Sequence, residues 1–306
     1  PAAAQAPAGE PAGGARATPV VRKLARQRGV DLGTVVGTGL DGRITREDVM
    51  KATGVTGAAK PAATSATTAA APGVPGQDER IPVRGARRLI AQKMTRSWQE
   101  IPHVTSFHTV DATHLDALRR ELSEESGHRV SSLAVIVRAL VEICRQHPPL
   151  NSSFDADAGE IVLRRSYHVG IAADTERGLM VPVVRDVDRK SIAQVARELA
   201  EVVEAARTGT ASPEQLTGST ITVSNYGVFG SEAGTPIINH PEGAILGVGR
   251  IGPRPMVVDG RVEARTAVTL ALSFDHRIMD GADADRAMTA LRELLESPFR
   301  LGGLPR

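Results

Sequence analysis

The sequence has very few of the residues that build disulfide frameworks or nucleic-acid-binding surfaces. Its 306 residues include one cysteine and 3% aromatic residues. A single cysteine excludes a disulfide framework and the cysteine-rich zinc modules, and it fits a reducing compartment. The low aromatic content leaves no pattern of basic residues interleaved with rings, and the net charge is only +2. Nucleic acid is therefore not an expected partner.

Long apolar runs are also missing. No stretch of about eighteen apolar residues occurs, so neither a membrane-spanning helix nor membrane association is predicted, and no signal peptide is recognised. The first residue is Pro1, inside an alanine- and proline-rich tract without an initiator methionine. We therefore expect that the chain was cut from a longer protein. The expected compartment is the bacterial cytoplasm, with the mitochondrial matrix as the second choice.

Two tracts of biased composition divide the chain. Residues 1–16 and 54–79 are rich in alanine, proline, glycine and threonine and hold almost no large apolar side chain. Such segments cannot bury enough surface to offset the entropy lost on ordering, so both are predicted to be flexible linkers. The sequence between them, 17–53, is predicted to form a small domain, and 80–306 a large one.

The small domain is predicted to be all-helical. Pro19 follows a threonine and fits the first turn of a helix that Gly29 would end, and Thr45 with Asp48 has the spacing of a capping box that opens a second helix. The glycine-rich loop at 37–42 is not a dinucleotide fingerprint, because no strand precedes it. The exposed arginines of this domain have two open interpretations, a solvated charged face or a docking surface.

The large domain is predicted to have an α/β layer fold. Short apolar runs typical of strands alternate with long amphipathic helices, of which 192–206 is the clearest. Asp259 and Gly260 lie between apolar residues and have the form of a two-residue hairpin turn. The helix at 133–144 is apolar nearly all round and contains Cys144, so this thiol is predicted to be a buried structural residue rather than a nucleophile.

The most informative stretch is 274–281, Phe-Asp-His-Arg-Ile-Met-Asp-Gly. It follows an apolar strand and precedes a helix, so His276 is predicted at a strand-to-helix corner, where a rigid backbone leaves a side chain accessible. The spacing of His276 and Asp280 alone has two open interpretations. One is a hydrogen-bonded histidine beside a turn aspartate, and the other is an active site.

The wider block resembles the active-site block of the dihydrolipoamide acyltransferases, the E2 components of 2-oxoacid dehydrogenase complexes. Residues 18–44 are similar to the peripheral subunit-binding domain of the same chains, so the likeness covers essentially the whole sequence. Further segments of the large domain are similar to the E2 catalytic domain: 101–104, 150–153, 178–183, 222–225 and 235–239.

This resemblance implies a chloramphenicol acetyltransferase-like fold and a homotrimer with its active site between subunits; in many members trimers assemble further into shells of 24 or 60 subunits. It also implies that Arg22, Arg26 and Arg43 dock the E1 decarboxylase, the E3 dihydrolipoamide dehydrogenase, or both, through charge-assisted pairs with carboxylates. The lipoyl group would be carried on a domain that precedes this chain, and coenzyme A would be the acyl acceptor.

The implied reaction moves an acyl group from acyl-dihydrolipoamide to the thiol of coenzyme A. A free thiol with a pKa near 8.5 needs a base at neutral pH, and His276 is the predicted one. Ser224 matches the position whose hydroxyl stabilises the oxyanion. Asp280 is predicted to orient His276 or to hold an arginine across the subunit interface. The remaining histidines lack ligand-like spacing, so no metal site is predicted.

Acyl specificity is predicted from Gly234, where acetyl-transferring relatives carry a bulky aromatic residue. A missing side chain would enlarge the acyl pocket, so a branched-chain acyl group is favoured, with succinyl and acetyl transfer as alternatives. A non-catalytic scaffold that only binds E3 is a further alternative, although such relatives lack the histidine that is present here as His276. A free-standing acetyltransferase is disfavoured by the small domain and the linkers.

Overall fold

A computed structural model of the protein describes residues 17–39, 42–53, 78 and 80–303. The chain separates into two compact units, residues 1–79 and 80–306, which are described one at a time below. The two predicted linkers lie outside the described residues except for Asp78. The proposed domain boundaries stay predictions. Among the described helices, none combines the length and the apolar character that a membrane crossing requires.

The described residues of the small unit form two α-helices. Helix α1 (Pro19–Arg28) begins with its proline in the first turn and ends at Gly29, which has the left-handed conformation with φ 65°. Helix α2 (Arg46–Ala52) begins with the capping box formed by Thr45 and Asp48. The small core between them is formed by Val21, Ala25, Ile44 and Val49. Both helix starts and the glycine stop are therefore as predicted.

A buried carboxylate organises the loop between these helices. Asp48 accepts hydrogen bonds from the backbone N–H and hydroxyl of Thr38 at 3.0 and 2.8 Å, and from the backbone N–H of Thr45 at 2.9 Å. The Thr38 backbone bond is the largest of the effects that hold the Asp48 pKa well below its usual value. Gly37 has no room for a side chain, since a Cβ there would lie 2.3 Å from the Gly42 carbonyl oxygen.

Strands form the centre of the large unit. Within the described residues, strands β1 to β9 are His103–Asp111, Ser152–Asp155, Glu160–Leu163, Val169–Ala172, Val183–Val184, Ile221–Asn225, Ala244–Val248, Gly252–Val258 and Arg261–Asp275. Seven of them form one mixed sheet in the order β1-β9-β7-β6-β4-β5, with β8 paired to β9, while β2 and β3 form a separate hairpin. Strands β4, β6 and β7 are parallel to one another, and β9 is antiparallel to β1, β7 and β8.

Helices cover this sheet and share one large core with it. Helices α3 to α7 are Gly85–Glu100, Thr113–Ser126, Ser132–Gln146, Ile192–Thr208 and Gly281–Glu296. Helix α5 is buried on nearly all sides, as its sequence predicts, and it packs against α4, α6 and α7. Helix α7 packs against β1 and α6 against β5. Cys144 is fully buried in this core, and burial raises the pKa of its thiol, which agrees with the predicted structural role.

Two strands differ from their predicted bounds for physical reasons. A strand was expected over 179–184, but only Val183–Val184 is strand, because Pro182 has no N–H to donate to the ladder and only an isolated bridge joins Met180 to Ala173. Strand β9 begins at Arg261 rather than Val268, because it continues as an exposed ribbon with β8. The predicted turn of that ribbon is present, with φ 49° at Asp259 and 79° at Gly260, as a two-residue hairpin requires.

Candidate active site

The backbone around His276 is fixed by an ion pair whose carboxylate is buried. Asp275, the last residue of β9, is 1% exposed. Its carboxylate accepts from the Arg277 backbone N–H at 2.9 Å and from the guanidinium Nη2 at 2.7 Å. That side-chain hydrogen bonding is the main cause that raises the Arg277 pKa. The neighbouring His276 N–H donates to the Pro102 carbonyl at 3.1 Å, so the strand-to-helix corner predicted from the sequence is rigid.

The His276 side chain itself is exposed in the protomer. Its ring stacks on Phe274 with the centroids 5.9 Å apart and an angle of 28° between the planes. No hydrogen bond joins either ring nitrogen to another atom of the described residues. A general base needs a partner that fixes its orientation and tautomer. Within one protomer the described residues do not supply it.

Asp280 performs a local structural task. Its carboxylate accepts from the Asp283 backbone N–H at 2.9 Å and caps the N-terminus of α7. This bond is the largest cause that lowers the Asp280 pKa. The prediction that Asp280 orients His276 is not met by a hydrogen bond within the protomer. The second predicted role, a contact with an arginine across a subunit interface, stays a prediction.

Ser224 lies near the C-terminal end of β6, at the opposite end of the sheet from His276. It pairs with Gly247 of β7, which in turn pairs with Ala271 of β9. His276 lies five residues beyond Ala271, which corresponds to about 16 Å along an extended strand, in addition to two strand spacings of about 4.8 Å each. One protomer therefore holds the two predicted catalytic side chains at opposite ends of its sheet and does not bring them together.

Gly234 lies in the loop that follows Ser224. A Cβ on Gly234 would be 3.4 Å from Cζ of Tyr226, and the Tyr226 hydroxyl donates to the Gly234 carbonyl at 3.4 Å. The open space expected beside this glycine is therefore bounded by an aromatic ring from two residues after Ser224. The sequence analysis did not identify Tyr226, which comes directly after β6 with helical backbone angles, so strand alternation gave no signal for it.

The three arginines predicted to bind partners are all exposed on the small unit. Arg22 and Arg26 lie one turn apart on α1, so both side chains project from the same side of the helix. The Arg22 Nε also donates to the Ala17 carbonyl at 3.2 Å. The Arg43 carbonyl accepts from the Gly39 N–H at 2.9 Å, which fixes its place in the glycine-rich loop.

A buried carboxyl at the His276 end of the sheet was also missed. Glu242 is 4% exposed and lines a cavity of about 430 Å³. One of its oxygens accepts from the Ser219 hydroxyl at 2.5 Å and from the Asn239 amide at 2.6 Å, while the other has no partner in the described residues. Burial raises the pKa of Glu242 to about 7. The only sequence signal for it is a glutamate two residues before the apolar run that forms β7. The same described residues contain no group of three or more potential metal ligands.

Comparison with known families identifies both units. The catalytic-domain model of the 2-oxoacid dehydrogenase acyltransferases matches residues 75–302. The chain belongs to this family. The model of the E3 binding domain matches residues 15–50. The chain is thus an acyltransferase, the E2 component of a 2-oxoacid dehydrogenase complex, as the resemblance in the sequence implied.

Individual relatives agree with this assignment. The chain is 42% identical over 302 residues to the dihydrolipoyllysine-residue acetyltransferase component of the pyruvate dehydrogenase complex of Staphylococcus aureus, covering 92% of the chain and 70% of that protein. Its counterpart in Staphylococcus epidermidis is 41% identical over 301 residues, covering 92% of the chain and 69% of that protein.

Solved structures show the same fold. The dihydrolipoamide acetyltransferase of Azotobacter vinelandii is 36% identical with a TM-score of 0.70, covering 76% of this chain and 99% of that one. A probable dihydrolipoamide acetyltransferase from Listeria monocytogenes is 37% identical with a TM-score of 0.67, covering 72% of this chain and 95% of that one. The predicted α/β fold of an E2 catalytic core with a small helical subunit-binding domain is therefore confirmed.

Proposed function

We propose that the protein transfers an acetyl group from acetyl-dihydrolipoamide to coenzyme A, at a site that two neighbouring subunits of a trimer share. The observation that carries this proposal is the register of the central sheet, which separates His276 from Ser224 within one protomer. Each side chain lies at a strand end and is accessible there. The base of one subunit can then meet the hydroxyl of the next.

The reaction balances with these two groups. The His276 imidazole takes the proton of the coenzyme A thiol while the sulfur attacks the thioester carbonyl carbon. The resulting oxyanion accepts a hydrogen bond from the Ser224 hydroxyl. When the intermediate collapses, the carbon–sulfur bond to dihydrolipoamide breaks and the imidazolium returns the proton to the leaving sulfur. The nucleophile belongs to the substrate, so no cysteine of the protein has to react.

Acetyl rather than a branched-chain acyl group is proposed for two reasons. The two staphylococcal relatives described above are named as acetyltransferases of pyruvate dehydrogenase complexes, and the space beside Gly234 that favoured a larger group is bounded by the Tyr226 ring. Isobutyryl and succinyl donors stay the alternatives. Comparing the three acyl-dihydrolipoamides with coenzyme A in one assay tests the choice, and a higher kcat/KM for isobutyryl or succinyl would overturn it.

The shared site is tested with hybrid oligomers. We expect His276→Ala and Ser224→Ala each to lose activity, the serine variant by about 10²- to 10³-fold as for other oxyanion donors. When the two variants are co-expressed with different tags and purified through both, each mixed trimer regains one intact site. Co-expression of Ser224→Ala with the double variant is the matched control and restores nothing. Mixed trimers no more active than their parents would contradict a site between subunits.

The small unit is proposed to dock the E3 dihydrolipoamide dehydrogenase or the E1 decarboxylase through Arg22, Arg26 and Arg43. Calorimetry with each purified enzyme tests this, and Arg26→Glu should weaken binding without affecting acyl transfer. Arg28→Glu makes the same charge change on another side of α1 and serves as the control. Equal affinities for the two variants would refute the assignment. A bacterial cytoplasmic location is proposed as well, supported by the bacterial relatives.

A further inference from the structure

We propose that Tyr226 limits the size of the acyl group, its ring forming the wall that a side chain at position 234 would otherwise form. The inference rests on the proposed acyl transfer at Ser224 and names the residue that gives that site its specificity. Tyr226 comes two residues after Ser224 and directly after the last residue of β6, where the chain leaves the sheet.

The ring stands directly beside the serine. Ser224 and Gly247 are paired on the parallel neighbours β6 and β7, so side chains at these two positions project from the same face of the sheet about 4.8 Å apart. A Cβ on Gly247 would lie 2.7 Å from the Tyr226 hydroxyl oxygen and 2.8 Å from its Cε1. The phenol therefore occupies the side-chain space of the position next to Ser224.

The ring also contacts the loop that follows Ser224. A Cβ on Gly234 would lie 3.4, 3.5 and 3.7 Å from Cζ, Cε1 and Cε2 of Tyr226, so the ring lies flat against the backbone there. Its hydroxyl donates to the Gly234 carbonyl at 3.4 Å. Tyr226 thus lies against two glycines, Gly247 on β7 and Gly234 in the loop, and a side chain at either position would meet its ring.

A glycine at position 234 therefore does not by itself make the acyl pocket large. The volume that side chains at 234 and 247 would occupy is filled by the ring of Tyr226. A residue with a small side chain at 226 would leave that volume open next to the Ser224 hydroxyl, where the acyl carbon reacts. A hydrophobic pocket discriminates between acyl groups by about 10- to 200-fold for each methylene, so removing a ring should change the preference measurably.

The test compares kcat/KM for acetyl-, isobutyryl- and succinyl-dihydrolipoamide in the full chain. Tyr226→Ala is expected to raise the ratio of isobutyryl to acetyl transfer tenfold or more, whereas Tyr226→Phe, which keeps the ring, leaves that ratio unchanged. Phe229→Ala removes an exposed ring from the same loop and is the matched control, also without a change in the ratio.

The outcomes separate this inference from the proposed function. If the wild-type chain transfers none of the three acyl groups, the proposed function fails. If the wild-type chain is active and Tyr226→Ala keeps its acetyl activity with an unchanged ratio, only the role of Tyr226 fails. If Tyr226→Ala does not fold, Tyr226→Leu retains part of the packing against Gly247, and an unchanged ratio in that active variant overturns the inference equally well.

Discussion

The two ends of the central sheet are built by different means. At the end where β9 leads to His276, buried polar groups dominate: the Asp275 carboxylate holds Arg277, and the Glu242 carboxyl accepts from Ser219 and Asn239. At the end where β6 leads to Ser224, close backbone packing does so. A Cβ on Gly227 would lie 2.2 Å from the Gly249 carbonyl oxygen. The backbone that carries the base is therefore fixed by charged hydrogen bonds, and the region beside the serine is shaped by steric fit.

The largest expected effect concerns the base at the first end. His276→Ala should lower kcat by about 10²- to 10⁴-fold, the usual contribution of general acid–base catalysis, with little change in stability because the side chain is exposed. Steady-state kinetics with acetyl-dihydrolipoamide and coenzyme A measures it. The control is His114→Ala, which removes an exposed histidine from α4. Equal kcat values for the wild type and His276→Ala would remove His276 from the mechanism.

The next effect concerns the buried Glu242 carboxyl at the His276 end. Burial raises the pKa of Glu242 from 4.5 to about 7, so its contribution to stability is fully present below the unfolded pKa near 4.5 and is lost as the pH rises through about 7. Each pKa unit is worth about 1.4 kcal/mol, so the loss amounts to a few kcal/mol. Glu242→Gln should remove this pH dependence.

Unfolding temperatures at pH 5 and pH 8 measure that difference. The wild type should lose more stability between the two pH values than Glu242→Gln does, while Glu201→Gln, an exposed change on α6, should behave as the wild type. Lys93 and His240 also line the cavity, and they are the same in all three proteins. Parallel pH profiles for the wild type and Glu242→Gln would show that this carboxyl is already ionised at low pH in the folded chain.

A smaller effect tests the steric character of the Ser224 end. Gly227→Ala should destabilise the protein by about 1–3 kcal/mol, the range for overpacking, since its Cβ would overlap the Gly249 backbone. Gly281 at the opposite end has open space around it and no positive φ, so Gly281→Ala should be neutral or slightly stabilising. Denaturant unfolding compares the pair. Equal losses for both would mean that close packing does not distinguish the two ends.

The smallest effect concerns the cap of α7. Asp280→Ala should cost about 1 kcal/mol because it removes the acceptor for the Asp283 N–H. Asp280→Asn keeps an oxygen at that position and should preserve most of the stability. If Asp280→Asn preserves kcat while Asp280→Ala lowers it, Asp280 affects catalysis by capping the helix. If Asp280→Asn loses kcat but keeps its stability, the negative charge of Asp280 acts across a subunit contact instead.

Local sequence signals predicted the local structure well. The capping box at Thr45, the stop at Gly29 and the turn at Asp259 depend on neighbours a few residues apart, so their chemistry is legible in the sequence. The prediction of a strand over 179–184 was mostly wrong. Pro182 has no N–H to donate to a neighbouring strand, and only Val183–Val184 is strand. The helix cap formed by Asp280 is also a short-range feature. It was not predicted, because Asp280 was assigned a catalytic role from its position in the active-site block.

The arrangement of the site could be predicted only in part. The family resemblance predicted His276 and Ser224 as catalytic residues, but their separation in one protomer follows from the pairing of three strands that are distant in the sequence. The space beside Gly234 was judged from a missing side chain, and its occupant comes from Tyr226 and from Gly247 on a neighbouring strand. Which volumes are filled depends on tertiary packing, which periodicity does not encode.

The separation of His276 and Ser224 has a consequence for the cell. Under the proposed arrangement, a newly synthesised chain carries half of two different reaction centres and a complete one of neither. Acyl transfer would then begin only after the subunits assemble, so the concentration of active sites would rise more steeply than the concentration of the chain. Dilution below the assembly range would abolish activity while each subunit stays folded.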